Sequence, residues 1–178
     1  MPHDPSPEQP GASLSLIADA RTAIQERMAH VDIDAMQLVL LLYRVSNAIV
    51  YDIESTVHRP AGWSWSAFRL CFTLWVDGPL ELRAAASRTG MSKPAVTSLA
   101  NTLQKQGSLT RSDLAGDARG RVLELTDAGR ERLEEVFRAH NRREVRWVDQ
   151  LSDAERAGGM AFLRRLVEIG RQDWVAHR

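Results

Sequence analysis

The chain has 178 residues, 44% of them apolar and 26% charged, and its 23 basic and 23 acidic side chains cancel. That composition excludes a disordered chain and a strongly basic, nonspecific nucleic-acid binder, and the length suits one domain or one domain with a helical attachment. The lone cysteine, Cys71, excludes an internal disulfide framework and a multi-cysteine zinc site.

Residues 1–12 are proline-rich and read as a flexible tail without the apolar core of a signal peptide. No apolar run approaches the length of a membrane span, so a cytoplasmic location with no membrane partner is expected. Ile17, Ala20, Ile24 and Met28 fall at helical spacing and predict a helix over 14–29. A second helix is expected over 33–57, where Leu38, Leu42, Val45, Ile49 and Ile53 recur every three to four residues. Leu40 and Leu41 widen that stripe, so this helix has two surfaces to cover. Arg59-Pro60-Ala61-Gly62 ends it, and Ser64 can cap the next helix, 65–76, which is apolar nearly all round and therefore central. After the turn Asp77-Gly78-Pro79 come a short helix over 82–89, stopped by Gly90, and another over 92–106, stopped by Gly107. Strands are expected at 109–111 and 121–125, joined by a loop containing Gly116 and Gly120. Thr126 caps a long helix to about residue 150, and Ser152 with Glu155 forms a capping box for a last helix reaching about residue 175. Gly158 and Gly159 weaken its first turns by about 1 kcal/mol each relative to alanine.

A short helix, a tight turn, a second helix and a hairpin make the winged form of the helix-turn-helix. The expected fold is mainly α with a small β hairpin. Its parts are a flexible tail (1–12), N-terminal dimerisation helices (13–58), a winged helix-turn-helix domain (59–126) and C-terminal dimerisation helices (127–178). In the helix over 92–106, Val96, Leu99 and Leu103 form the core-facing stripe. Lys93, Thr97, Ser98, Asn101, Gln104 and Lys105 lie away from it. Ser92 is a good N-cap, and Pro94 is tolerated in a first turn that has no use for its missing N–H. Such a polar, small-residue N-terminal turn suits a major groove, although any amphipathic helix has a solvated face. The hairpin tips the balance. Its arms carry Arg111 and Arg121, and its tip carries Arg119, which can enter a narrow minor groove; Asp117 can hold Arg119 extended. A solvated turn with an incidental ion pair is the plain alternative.

These segments resemble the MarR family of bacterial regulators. Thr89-Gly90-Met91-Ser92-Lys93-Pro94-Ala95-Val96-Thr97 is similar to the family's turn and recognition-helix start. Leu103-Gln104-Lys105-Gln106-Gly107 resembles its helix end. The run from Asp117-Ala118-Arg119-Gly120-Arg121 to Leu125-Thr126-Asp127-Ala128-Gly129 resembles its wing and the helix start that follows. The resemblance implies a homodimer on a pseudo-palindromic double-stranded DNA operator. Ser92, Lys93, Ala95, Thr97, Ser98 and Asn101 are then the recognition-helix contacts and Arg119 the wing-tip contact. Two positions depart from the family pattern: Ala118 replaces a basic residue, and Ser98 stands where arginine is common.

Apolar stripes at both ends of the chain suit a two-fold partner. One is Leu133, Phe137, His140, Trp147 and Leu151; another is Phe162, Leu163, Leu166, Ile169 and Trp174. Each can equally be core. Trp63, Trp65, Phe68, Phe72 and Trp75 are concentrated around one helix, and aromatic residues at that spacing are usually core. With Tyr51, His58 and Arg69 nearby, however, Trp63 and Trp65 can wall a pocket for a small aromatic or phenolic effector, as the resemblance also implies. Cys71 lies among Leu70, Phe72 and Leu74, a setting that makes a thiol inert. The histidines lack metal-ligand spacing, and no cofactor, metal or enzymatic motif is expected. The function that follows is a DNA-binding transcriptional regulator, with a repressor released by an effector as the leading form. The alternative is a winged-helix interaction module that no longer binds DNA specifically.

Overall fold

A computed structural model describes residues 10–28, 30–114 and 117–176, with side chains described for 19–28, 30–113 and 121–176. The chain divides between Asp52 and Ile53 into two compact units.

The first unit holds α1 (Pro10–Arg27) and most of α2 (Ile33–Ile53). In α2, Leu38, Val39, Tyr43 and Val45 are exposed. The helical stretch Ile33–His58 has a mean hydropathy of 1.4 over an 18-residue window and is long and apolar enough to cross a membrane. That corrects the expectation of no apolar run near that length. Single polar residues such as Gln37, Arg44 and Asn47 interrupt every run without lowering the average much.

Beyond Ile53 the chain leaves α geometry. Residues Glu54–His58 form one π-helical turn, closed by Arg59 N–H donating to the Glu54 carbonyl at 2.9 Å. The extra residue in that turn carries His58 into a fully buried position. Ser64 then caps α3 (Trp65–Asp77) by accepting from the Ala67 N–H at 3.1 Å. Strand β1 (Leu80–Glu81) leads directly into α4 (Leu82–Thr89), which Gly90 ends in a left-handed conformation, φ 66°. Helix α5 (Lys93–Lys105) follows, then β2 (Leu109–Leu114) and β3 (Asp117–Leu125).

The three strands form one antiparallel sheet in the order β1-β3-β2, with Leu80 opposite Leu123 and Leu109 opposite Leu125. Two residues without an alternating pattern carried no strand signal in the sequence, so β1 was not expected. The core lies between α3, α4, α5 and the sheet, where Leu70, Cys71, Val96, Ala100 and Leu123 are fully buried. Each large apolar side chain sequestered there contributes about 1.5–3 kcal/mol.

Helix α6 (Asp127–Val148) joins this core through Leu133 and Val136, with Phe137 packed against it. Leu133, Phe137 and His140 therefore serve the interior of this unit, whereas Trp147 and Leu151 further along are exposed. Helix α7 (Asp153–Ile169) starts on the expected capping box of Ser152 and Glu155. It ends at Ile169, six residues short of the expected 175. There the chain passes into turns closed by Arg171 N–H to the Glu168 carbonyl and Gln172 N–H to the Ile169 carbonyl.

Candidate nucleic-acid interface

Helix α5 is seated by one face and open on the other. Val96, Ala100 and Leu103 are buried and Leu99 is partly buried, while Lys93, Ala95, Ser98 and Asn101 are exposed. Ser92 caps it by accepting from the Ala95 N–H, so a polar residue marks the end where unpaired N–H groups favour an anion. Thr97 is half-buried, and its hydroxyl donates to the Lys93 carbonyl at 2.9 Å. That leaves Thr97 only acceptor capacity and a methyl group for an outside partner.

The turn before α5 is held by contacts the sequence did not reveal. The Thr89 hydroxyl donates to the Ala85 carbonyl at 2.7 Å, and Arg69 reaches from α3 to donate to the Thr89 carbonyl. Arg88 makes a two-pronged bond to Asp77, 2.6 Å on each arm, which holds the Asp77 carboxyl below the usual carboxylate range. Arg69 thus serves the helix-turn-helix by capping an orphan carbonyl at the end of α4.

On the wing, Asp113 and Arg121 are cross-strand partners, and their side chains form a close ion pair. Arg111 turns inward. Its terminal nitrogen donates to the Thr97 carbonyl at 2.8 Å, and its Nε is buried without a partner. The side chains of Asp117, Ala118 and Arg119 lie outside the described residues, so the expected Asp117–Arg119 contact does too. At the base of β3 the Thr126 hydroxyl accepts from the Gly129 N–H at 2.9 Å and donates to the Gly107 carbonyl at 2.6 Å. Gly129 sits directly against the Ser108 backbone.

The residues expected to wall an effector pocket have different surroundings. Tyr51 belongs to the first unit and is exposed. His58 and Trp65 stack at 5.6 Å, with Phe68 on His58 at 4.5 Å. Trp63 is buried beneath the Arg132 guanidinium, 5.2 Å from its ring, and its indole nitrogen has no partner. Arg132 also donates to the Ala61 carbonyl at 2.5 Å. A groove of about 360 Å³ lies between the π-turn and α6, lined among others by Val57, Pro60, Arg132 and Glu135.

A polar chain runs from the buried His58 and His140 out to the half-exposed Glu144. His58 Nε2 and His140 Nδ1 are 2.9 Å apart, and His140 Nε2 is 2.9 Å from Glu144. A carboxylate only accepts, so His140 Nε2 donates to it. His58 Nδ1 is buried without a partner. Burial and the neighbouring His140 push the His58 pKa down to about 4. The His140–Glu144 spacing of four on a helix was a legible signal; His58, 82 residues away, was not. Cys71 is fully buried and its thiol is pushed up to about 12, which suppresses thiolate chemistry. Among the described residues no three His, Cys, Asp or Glu side chains converge on a common point.

Residues 63–120 match the family model described as the MarR family. The chain is similar to an HTH-type transcriptional regulator of Bacillus subtilis, YwaE, at 26% identity over 137 residues, covering 77% of this chain and 80% of that one. It shares its fold with Sco3205, a MarR family regulator of Streptomyces coelicolor solved in complex with DNA. There the TM-score is 0.70 at 21% identity, covering 79% of this chain and 91% of the other. Bordetella bronchiseptica BpsR, a protein whose DNA binding is regulated by 6-hydroxynicotinic acid, superposes with a TM-score of 0.67 at 22% identity, covering 74% of this chain and 98% of that one. The winged helix seen here thus has the fold of these solved regulators, and residues 63–120 within it match the MarR family model.

Proposed function

We propose that this chain is a cytoplasmic, homodimeric repressor that binds a pseudo-palindromic DNA operator and is released by a small aromatic or phenolic effector. The observation that carries the reading is α5. Its apolar stripe is locked into the core while Ser92, Lys93, Ala95, Ser98 and Asn101 stand exposed along its outer side, beside the wing. In this reading those residues and the outer side of Thr97 meet the major groove, and Arg119 and Arg121 meet the backbone or the flanking minor groove. Residues 59–126 form the reading domain, and the helices over 13–58 and 127–178 pair with a second copy. Such pairing would cover the exposed apolar side chains of α2 and α7 without a bilayer. Two-fold binding across successive grooves excludes other proteins from the same duplex, which is the physical basis of repression. No enzymatic step is assigned to the chain.

The effector reading draws on the aromatic surroundings of His58, stacked on Trp65 and Phe68, and on the likeness in fold to BpsR. Arg69 would act there indirectly, through the Thr89 carbonyl, and Trp63 through Arg132.

The decisive experiment is selection of bound duplexes from a random pool, followed by affinity measured against salt. A two-fold symmetric site with log affinity falling linearly in log salt is expected. Binding no tighter than to random DNA would instead favour an interaction module, a reading to which the ion pair neutralising Arg121 lends weight. On the selected site Arg119→Ala should cost about 1–3 kcal/mol. Thermal shift and DNA release across a panel of phenols and aromatic acids test the effector, and silence in both assays would remove it.

A further inference from the structure

Arg111 sits on the wing, yet its guanidinium is directed into the protein. Its terminal nitrogen donates to the Thr97 carbonyl at 2.8 Å and its Nε is buried. Thr97 lies in the middle of α5, where a carbonyl already serves the helix ladder with one lone pair; the arginine takes the second. Besides a long 3.5 Å bond from the C-cap Gln106 side chain to the Gly62 carbonyl, α5 is attached by apolar contact through Val96, Ala100 and Leu103. Apolar contact is non-directional and tolerates small rotations about the helix axis. A charge-assisted hydrogen bond to one backbone carbonyl does not.

The same residue also occupies a fixed point in the sheet, opposite Leu123 of β3. Both ends of the link are therefore anchored: β3 positions Arg111, and Arg111 positions Thr97. The Thr97 hydroxyl bond to the Lys93 carbonyl extends the constraint one turn towards the start of the helix, where the exposed polar residues stand. We infer that Arg111 is a positioning residue that sets the rotation of the recognition helix relative to the wing, so that major-groove and minor-groove contacts are delivered in one fixed register. Arg111 contributes to specificity without touching DNA. This rests on the DNA-reading role proposed above.

The test uses the full chain and the duplex selected from the random pool, with a scrambled duplex as reference. Arg111→Ala should lower the ratio of specific to nonspecific affinity about tenfold, the equivalent of losing one charge-assisted bond. The slope of log affinity against log salt should stay unchanged, because no phosphate contact is removed. Arg111→Lys, which keeps a donor within reach of the carbonyl, should recover part of the ratio. A slope reduced by about one with the ratio intact would make Arg111 a phosphate contact and overturn the inference. Hydrogen exchange without DNA separates this from failure of the DNA reading itself. Faster exchange in α5 of Arg111→Ala, with α3 unaltered, is expected even if the parent chain prefers no duplex. Unaltered exchange in α5 would overturn the link.

Discussion

Helices α5 and α7 both begin on a serine cap and both carry apolar residues at helical spacing, but their surroundings are opposite. In α5 the stripe Val96, Ala100 and Leu103 is buried; in α7 no residue is buried, and Met160, Phe162, Leu163 and Val167 remain exposed. Capping and periodicity decide that each segment is a helix. They do not decide what covers it, because cover depends on which other elements the chain brings alongside. For α5 these are α3, α4 and β2 of the same unit. For α7 the proposed cover is a second copy.

The glycines of the two regions offer the sharpest way to break the comparison. Gly129 starts α6, and a Cβ there would lie 2.7 Å from the carbonyl carbon of Ser108, against backbone that cannot yield cheaply. Gly129→Ala should therefore cost about 3 kcal/mol or more in urea unfolding, since it forces apart α6 and the start of β2. A loss under about 1 kcal/mol would mean that this junction gives way freely.

A pH titration probes the covered region almost as strongly. The unfolded chain takes a proton on His58 as pH falls through 6.5, while the folded protein resists until about 4. The unfolded state thus binds more protons between these values, and stability present above 6.5 is lost progressively down to about 4, by about 3 kcal/mol in all. His58→Phe keeps the stack on Trp65 and Phe68 and should flatten that dependence. An unchanged pH profile in this variant would move the titration to another group.

On the open side, Leu163→Asp should weaken self-association by about 2 kcal/mol, read by sedimentation equilibrium. An unaltered mass distribution would deny that a second copy covers α7. The smallest effect is expected at Gly158, where an added Cβ meets nothing within 4 Å. Gly158→Ala should raise stability by about 0.5–1 kcal/mol through helix propensity alone. A loss there instead would reveal a close neighbour that the monomer does not contain.

The legibility of each feature follows its range along the chain. Ser64, Ser92, Thr126 and the Ser152–Glu155 box were all readable as caps, since each bonds a backbone group three residues on. The exposed side of α5 was readable from period alone. Strand β1 was not, because two residues carry no alternation and pair only once β3 lies beside them. In the sequence Arg69 read as part of an effector pocket and Arg111 as a DNA-facing arm of the hairpin; only their distance to the Thr89 and Thr97 carbonyls identifies them as internal braces.

By itself, then, the sequence determined the succession of helices and wing, their caps, and the polar face of α5. These depend on interactions over three or four residues, which composition and spacing encode directly. The tertiary structure decided the rest: that Leu133 and His140 face inward, that His58 enters the core through a π-turn, and that Arg111 turns towards α5. Those outcomes depend on groups 14 to 82 residues apart meeting at bonding distance, and no local pattern specifies such a meeting.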